Sequence, residues 1–372
     1  MVGHLLKVDE SELTNFSRQV LTVVGATEST AEIVTESLLY SDRRGVHTHG
    51  LARLPSYVQQ VSDGVIDPRS SPEVGVRRGA LTVVEGRSGF GAVAGLVAAD
   101  EAVRQSHSSG IGLCWVRDAG HFGAAAYYSE RIALQGCLGI VATNTPGVMA
   151  PHGGREPILG NNPLAFAAPG PANTVFLLLD MAQSMGARGK IKLAEMCGRD
   201  IPVGWAIDTE GRPTTDPAQG LEGALLPAAG HKGSGLALMI EILTAAVAGG
   251  TLSFDLVNTG LTARQQDLAL ENDARRKGVT SIYIAIQPTW ILSEEEYFGA
   301  VRALIERVRN STPGPGFERV LVPGDLERAA LMNTISKGIQ LEESTIQELV
   351  RLGTQMRIPY PPSLLASGAA AE

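Results

Sequence analysis

His49 and Arg53 stand four residues apart, in the run Asp42–Gly50 (DRRGVHTHG) and its continuation. An imidazole passes a proton near neutral pH. A guanidinium one helical turn away can hold a carboxylate through two hydrogen bonds. If a helix begins near Thr48, the two side chains share a face. The pair then suits a 2-oxo or 2-hydroxy acid, with the carboxylate clamped and the carbonyl oxygen at the imidazole. The same spacing also describes a helix-start histidine followed by an ordinary surface arginine. A second histidine, His121, lies between glycines in Asp118–Gly123 (DAGHFG), directly after the apolar run Gly112–Val116. A histidine at a strand end is well placed to face a cleft, and a plain turn histidine is the alternative. The third run is Gly230–Gly235 (GHKGSG), which precedes an apolar helix. Its glycines permit close approach, a helix start offers free N–H groups, and Lys232 adds charge, which fits a phosphate-bearing cofactor. The run is not a P-loop, because GxxxxGK[ST] is absent and Lys232 is followed by Gly233.

Two further signals carry less. Gly89-Phe90-Gly91, with Ala94, resembles a Rossmann turn, but Glu85–Ser88 separates it from the strand. No acid ends a clear second strand about 20 residues on. His47 and His49 would share a face on a strand, yet no nearby Cys, Asp or Glu completes a metal-ligand set, so no metal is expected. His4, His107 and His152 read as solvent or turn residues.

These residues need elements to hold them. Helical apolar spacing marks Glu10–Val24, Thr30–Ser41 and Leu51–Val65, with Ser11 as a cap for the first and a Ser29–Glu32 capping box for the second. Strands are expected over Ala80–Glu85, Gly112–Arg117, Leu138–Asn144, Val175–Asp180, Ser281–Gln287 and Val320–Pro323. Helices are expected over Leu96–Ser106, Ala124–Gln135, Leu236–Val247, Glu294–Asn310, Gly324–Ser336 and Ser344–Met356. Val148–Pro169 reads as turn-rich, and Ile201–Asp208 and Arg212–Pro217 flank a turn. The tail after Pro361 reads as loose. Mixed strands and helices place the chain in the α/β or α+β class.

Composition narrows the function. The 372 residues carry a net charge of −8 and 5% aromatics, with 43 glycines. No long Lys/Arg run overrides that charge, so neither nucleic acid nor an anionic membrane is an expected partner. The three cysteines have no paired spacing, and no start segment reads as a signal peptide, so a reducing cytoplasmic setting is expected.

Several runs together resemble one family, the type-2 malate/L-lactate dehydrogenases, which are distinct from the Rossmann lactate and malate dehydrogenases. The runs are DRRGVHTHGLARLPSYV (Asp42–Val58), GHFGAAAYYSE (Gly120–Glu130), APHGGREPILGNNPLAFAAP (Ala150–Pro169), LDMAQSMGARGKI (Leu179–Ile191), IPVGWAIDTEGRPTTDP (Ile201–Pro217), GHKGSGLAL (Gly230–Leu238) and VPGDLE (Val322–Glu327). They follow family order over nearly the whole chain. The resemblance implies a central, largely antiparallel sheet domain of non-Rossmann type that binds the nicotinamide cofactor (76–287). It also implies a helical domain built from both chain ends (1–75 and 288–372), and a homodimer or higher oligomer.

The resemblance also implies site roles. His49 or His121 is the acid/base, and Thr48, Arg53 and Asn144 bind a small anionic substrate. Asp180, Met181, Ala182, His231, Lys232, Gly233, Pro323 and Gly324 hold NAD or NADP, with NADH placed first. Thr48 stands where serine is usual, Asn161 and Gln183 where threonine is common, and His231 where tyrosine or proline is frequent. The implied activity is interconversion of a 2-hydroxy acid and a 2-oxo acid of the malate, lactate or sulfolactate kind. Reduction of a cyclic 2-imino acid such as piperideine- or pyrroline-2-carboxylate is the nearest alternative. A non-enzymatic binding protein on the same scaffold is the more distant one, disfavoured by the intact His49, Arg53, His121 and Lys232.

Overall fold

The computed structural model describes residues 5–256 and 278–366. The expectations that fall on residues 1–4, 257–277 and 367–372 lie outside the described residues. These include the start of the chain with His4 and the end of the tail.

A helical layer opens the chain with α1 (Glu10–Val23), α2 (Glu28–Arg43) and α3 (Leu54–Ser62). Asp9, not Ser11, caps α1, because its carboxylate accepts the N–H groups of Ser11 and Glu12. Thr27 caps α2 by accepting from the Thr30 N–H, so the helix starts before the expected Ser29–Glu32 box can form. The third helix is shorter than its apolar pattern suggests. Two 3₁₀ turns, His47–His49 and Leu51–Arg53, precede α3. A short strand β1 (Leu5–Val8) pairs antiparallel with β12 (Ile339–Glu342). Leu13, Leu38, Leu51 and Tyr57 then share one core with Ile339, Ile346 and Leu349. Each such side chain contributes about 1.5–3 kcal/mol by leaving water, so the helical layer draws its stability from both chain ends.

The central sheet runs β2 (Glu73–Arg78), β3 (Leu81–Gly89), β4 (Ile111–Ala119), β11 (Val279–Ile286), β5 (Leu138–Thr143), β6 (Leu164–Gly170) and β7 (Thr174–Met181), in that spatial order. Only the β3–β4 pair is parallel; the other neighbours are antiparallel. This is the expected mixed α/β architecture with a non-Rossmann sheet and a helical part drawn from both ends. Helices α4 (Gly91–Ser109) and α5 (Ala125–Leu134) pack on the sheet through small side chains such as Ala98 and Ala102. A methyl group at Gly112 would strike the Ala102 carbonyl, so glycine there lets α4 lie close to β4.

Some expectations change. β3 reaches Gly89 and α4 starts at Gly91, so no spacer separates the strand from the glycine turn. β6 falls in the stretch read as turn-rich, because Pro163, Pro169 and Gly170 mask its strand. Val320–Pro323 is no strand, although the Pro323 carbonyl accepts the Leu178 N–H of β7. Beyond β7, α6 (Arg188–Met196) and α7 (Pro217–Glu222) accompany a small sheet of β8 (Ala206–Ile207), β9 (Pro213–Thr214) and β10 (Ala224–Leu225). α8 (His231–Glu241) begins inside the glycine run, earlier than expected, and continues into a π-helical turn, Ile242–Ala246.

Candidate active site

Asp42, at the end of α2, is buried and organises the first histidine loop. Its Oδ1 lies 3.0 Å from His47 Nδ1 and its Oδ2 accepts the Leu51 N–H at 2.7 Å. Both sides of the 3₁₀ turn are thereby pinned, and only glycine fits at position 50 against this carboxylate. Burial would lower the His47 pKa, but the hydrogen bond and charge of Asp42 raise it above the ordinary imidazole value. Thr48 Oγ1 is 3.1 Å from His49 Nδ1, and Arg53 Nε donates to the Thr48 carbonyl at 2.8 Å. The four-residue spacing thus does bring His49 and Arg53 into one loop, through two 3₁₀ turns rather than a helix face.

His121 comes from the loop between β4 and α5. Its ring stacks on His49 with centroids 5.8 Å apart and planes at 23°. Its Nδ1 is 2.8 Å from the Tyr57 hydroxyl and 3.3 Å from the Gly123 N–H. A methyl group at Gly91 would collide with the Gly120 carbonyl. The glycine turn that mimics a dinucleotide fingerprint is therefore filled by the His121 loop. Burial, then the Arg53 charge, pushes His49 down to about 3. Burial, Arg53 and His49 push His121 well below its ordinary value. Burial also lowers Arg53, which nonetheless stays charged in proteins. Among the described residues no carboxylate lies within ion-pair distance of Arg53. Among the described residues the Arg53 guanidinium, crowded by protein, has no counter-ion and lies beside two imidazoles whose charged forms are disfavoured, an arrangement that can receive an anion.

One segment, residues 178–189, touches the other expected motifs. The Leu178 N–H meets the Pro323 carbonyl at 3.3 Å, where Gly324, at φ +93°, starts the helix Asp325–Lys337. Asp180 Oδ2 accepts the Ala126 N–H at 2.8 Å at the start of α5. Crowding by protein on that side pushes its pKa up to about 6, while another side stays open to solvent, as does Met181. Ala182, which follows them, is half-buried. The Gln183 carbonyl accepts the Ala228 N–H at 2.8 Å and would lie 2.8 Å from a methyl group at Gly233. Gly233 therefore allows α8 to start against this segment. A methyl group at Gly189, in the first turn of α6, would lie 3.1 Å from the Thr48 methyl carbon. His231 and Lys232 are exposed on the first turn of α8, with the His231 ring 5.9 Å from His152. Lys232 has no carboxylate partner among the described residues.

Asn144 makes no hydrogen bond with His49, Arg53 or His121. It is fully buried, its Nδ2 donates to Glu241 Oε1 and the Thr251 carbonyl, and its Oδ1 accepts the Thr280 N–H. A substrate contact would have to displace these bonds. Among the described residues no group of three or more His, Cys, Asp or Glu side chains is arranged to hold a metal. Sequence reasoning gave no role to Tyr57, Asp42 or Gly189. The four-residue step from Arg53 to Tyr57 was the available signal for the first.

Comparison with known proteins identifies the family and several relatives. The family described as malate/L-lactate dehydrogenase matches residues 8–350. An L-sulfolactate dehydrogenase of Methanothermobacter thermautotrophicus is 33% identical over 355 residues, covering 95% of this chain and 98% of that one. A malate dehydrogenase of Pyrococcus abyssi is 33% identical over 362 residues, covering 95% and 96%. The solved sulfolactate dehydrogenase of Methanocaldococcus jannaschii superposes with a TM-score of 0.83 at 34% identity, covering 96% of this chain and 98% of that one.

Proposed function

The chain belongs to the malate/L-lactate dehydrogenase family, and from that premise we propose that it interconverts a small anionic 2-hydroxy acid and its 2-oxo acid with NAD or NADP. The observation that carries this reading is Arg53. Its terminal nitrogens lack any carboxylate partner among the described residues, and His49 and His121 stand beside it. Arg53 takes the substrate carboxylate in a bidentate grip and so sets the orientation of the reacting carbon. The imidazoles hold the proton at the substrate oxygen. Burial is the main cause that holds both histidines down, and the Arg53 charge is the second; a bound carboxylate cancels that second cause, so their affinity for a proton rises as substrate arrives. Reduction needs that proton.

The residues at the cofactor position fit a dinucleotide. Lys232 is exposed and unpaired among the described residues, and the start of α8 has no side-chain cap. The Lys232 and Gly233 N–H groups are already taken by the Ala229 and Ala228 carbonyls, so the exposed ammonium, more than the helix start, suits a diphosphate. Lys232, His231, the Asp180–Ala182 segment at the end of β7 and Pro323–Gly324 would hold it, with Gly233 permitting the close packing around it. When bound, the nicotinamide supplies or accepts the hydride. We place NADH ahead of NADPH. The division into a sheet domain (76–287) and a helical domain (1–75 and 288–372) belongs to this reading, as does a cytoplasmic setting, supported by three free cysteines. A homodimer is supported by exposed Leu236, Leu238, Met239, Ile242 and Leu243 on α8 and the π turn, an apolar face that a second copy would cover.

The test follows NADH and NADPH absorbance with oxaloacetate, pyruvate, sulfopyruvate, glyoxylate, 2,3-diketogulonate and piperideine-2-carboxylate. Cofactor oxidation with a 2-oxo acid is expected. Activity with the cyclic imine alone would replace the reading with an imine reductase. Silence together with absent NADH binding would replace it with a non-catalytic protein.

A further inference from the structure

Tyr57 has no part in the roles above, yet it is only 3% exposed and sets its hydroxyl 2.8 Å from His121 Nδ1. Burial outweighs the nearby Arg53 charge and pushes its pKa up to about 12, so the phenol keeps its proton. The Gly123 amide reaches the same nitrogen at 3.3 Å. A peptide N–H can only donate. Nδ1 is therefore the lone-pair nitrogen, and the Tyr57 hydroxyl also donates to it. The ring of a neutral imidazole then carries its proton on Nε2. Nε2 has no hydrogen-bond partner among the described residues. His49 is held differently, because its Nδ1 meets a Thr48 hydroxyl that can donate or accept.

The packing makes this arrangement stiff. The Tyr57 ring meets Phe90 edge-on at 6.1 Å. Phe90 immediately precedes α4, whose first residue, Gly91, lies against the Gly120–His121 backbone. Tyr57 thus ties α3 of the helical layer to the histidine carried by the sheet.

We propose that Tyr57 is a positioning residue that fixes His121 as the Nε2–H tautomer, so that His121 presents a hydrogen-bond donor to the substrate oxygen. The donor role rests on the 2-oxo acid reading, whereas the tautomer does not. Nitrogen NMR of the full chain labelled at histidine reads the tautomer directly, with His121→Asn supplying the assignment. A protonated Nε2 and an acceptor Nδ1 are expected; a protonated Nδ1 overturns the proposal whatever the activity. Tyr57→Phe keeps the ring and removes the hydroxyl. It should lower kcat about tenfold, leave the KM of the 2-oxo acid within about twofold and mix the tautomers, as loss of one orienting hydrogen bond would. A folded Y57F variant with unchanged kcat and an unchanged His121 spectrum also overturns it. If that variant does not fold, the wild-type spectrum decides. A wild type that turns over no 2-oxo acid ends the functional reading and the donor role together, while the spectrum still decides the tautomer.

Discussion

Two charged clusters in this protein are built on opposite principles. Glu241, at the end of α8, is 5% exposed, and both its oxygens are filled by neutral donors. Oε1 accepts from Asn144 Nδ2 at 3.2 Å and the Ser253 N–H at 2.8 Å; Oε2 accepts from Asn162 Nδ2 at 3.0 Å and the Ser253 hydroxyl. The two asparagines spend their other polar atoms on Thr251, Thr280, Ala237 and Thr145. Arg53 donates its Nε to a carbonyl and faces two neutral histidines. A closed cluster has every partner it needs and holds chain segments together. An open one stays unsatisfied until a ligand arrives. On the reading proposed for Arg53, the number of satisfied partners, more than burial, is what separates the two clusters.

The largest expected effect breaks the open cluster. Arg53→Met should cut kcat/KM for a 2-oxo acid about 1000-fold, or roughly 4 kcal/mol, the scale of losing one partner of a buried charge pair. Denaturant unfolding should show little change in stability, because loss of the bond to the Thr48 carbonyl is offset by removal of an uncompensated, half-buried charge. A fall of several kcal/mol would show that Arg53 is structural. Glu241→Ala should do the reverse. It strands four donors and should cost about 3 kcal/mol of unfolding free energy. A stability matching the parent would mean the closed cluster is dispensable.

A smaller effect concerns protons. The unfolded imidazole titrates near 6.5, and folded His49 near 3. The unfolded chain therefore binds more protons between these values, so this site lowers stability as pH falls through that window and leaves it unaffected above. Binding of oxamate with NADH should cancel the Arg53 contribution to the depression, though not the larger one from burial, and so increase proton uptake at pH 6. Calorimetry in buffers of different ionisation enthalpy reads the uptake, and no uptake would remove the coupling between Arg53 and the histidines. The smallest effect is Thr48→Ser. It keeps the hydroxyl and removes a methyl that abuts Gly189, for a loss of about 0.8 kcal/mol in stability with turnover nearly unchanged. A large fall in turnover would give that methyl a role in the pocket.

Much of the closed cluster was invisible in the sequence. Asn144, Asn162, Glu241, Ser253 and Thr280 are ordinary residues scattered over 137 positions, and only the fold joins them. The open cluster was easier to read, since His49 and Arg53 are close in sequence and chemically distinctive. The spacing argument still named the wrong cause, because Asp42 reaches forward to Leu51 and converts the expected helix start into 3₁₀ turns. Long helices such as Glu10–Val23 and Glu294–Arg309 were legible from apolar period alone. The Leu5–Val8 and Ile339–Glu342 strands were not, because four-residue strands paired across the whole chain carry no local signal. The packing of the 178–189 segment was likewise hidden, since Pro323, Ala126, Ala228 and Thr48, which it meets, lie far from it in sequence.

The central claim is that Arg53 waits for a carboxylate. The most direct test compares reduction of pyruvate and of its amide by the wild type and by the Arg53→Met variant. The account predicts that the wild type prefers the acid by about 1000-fold and that the variant loses most of this preference. A variant that keeps the full preference for the acid would place the carboxylate elsewhere and contradict the account.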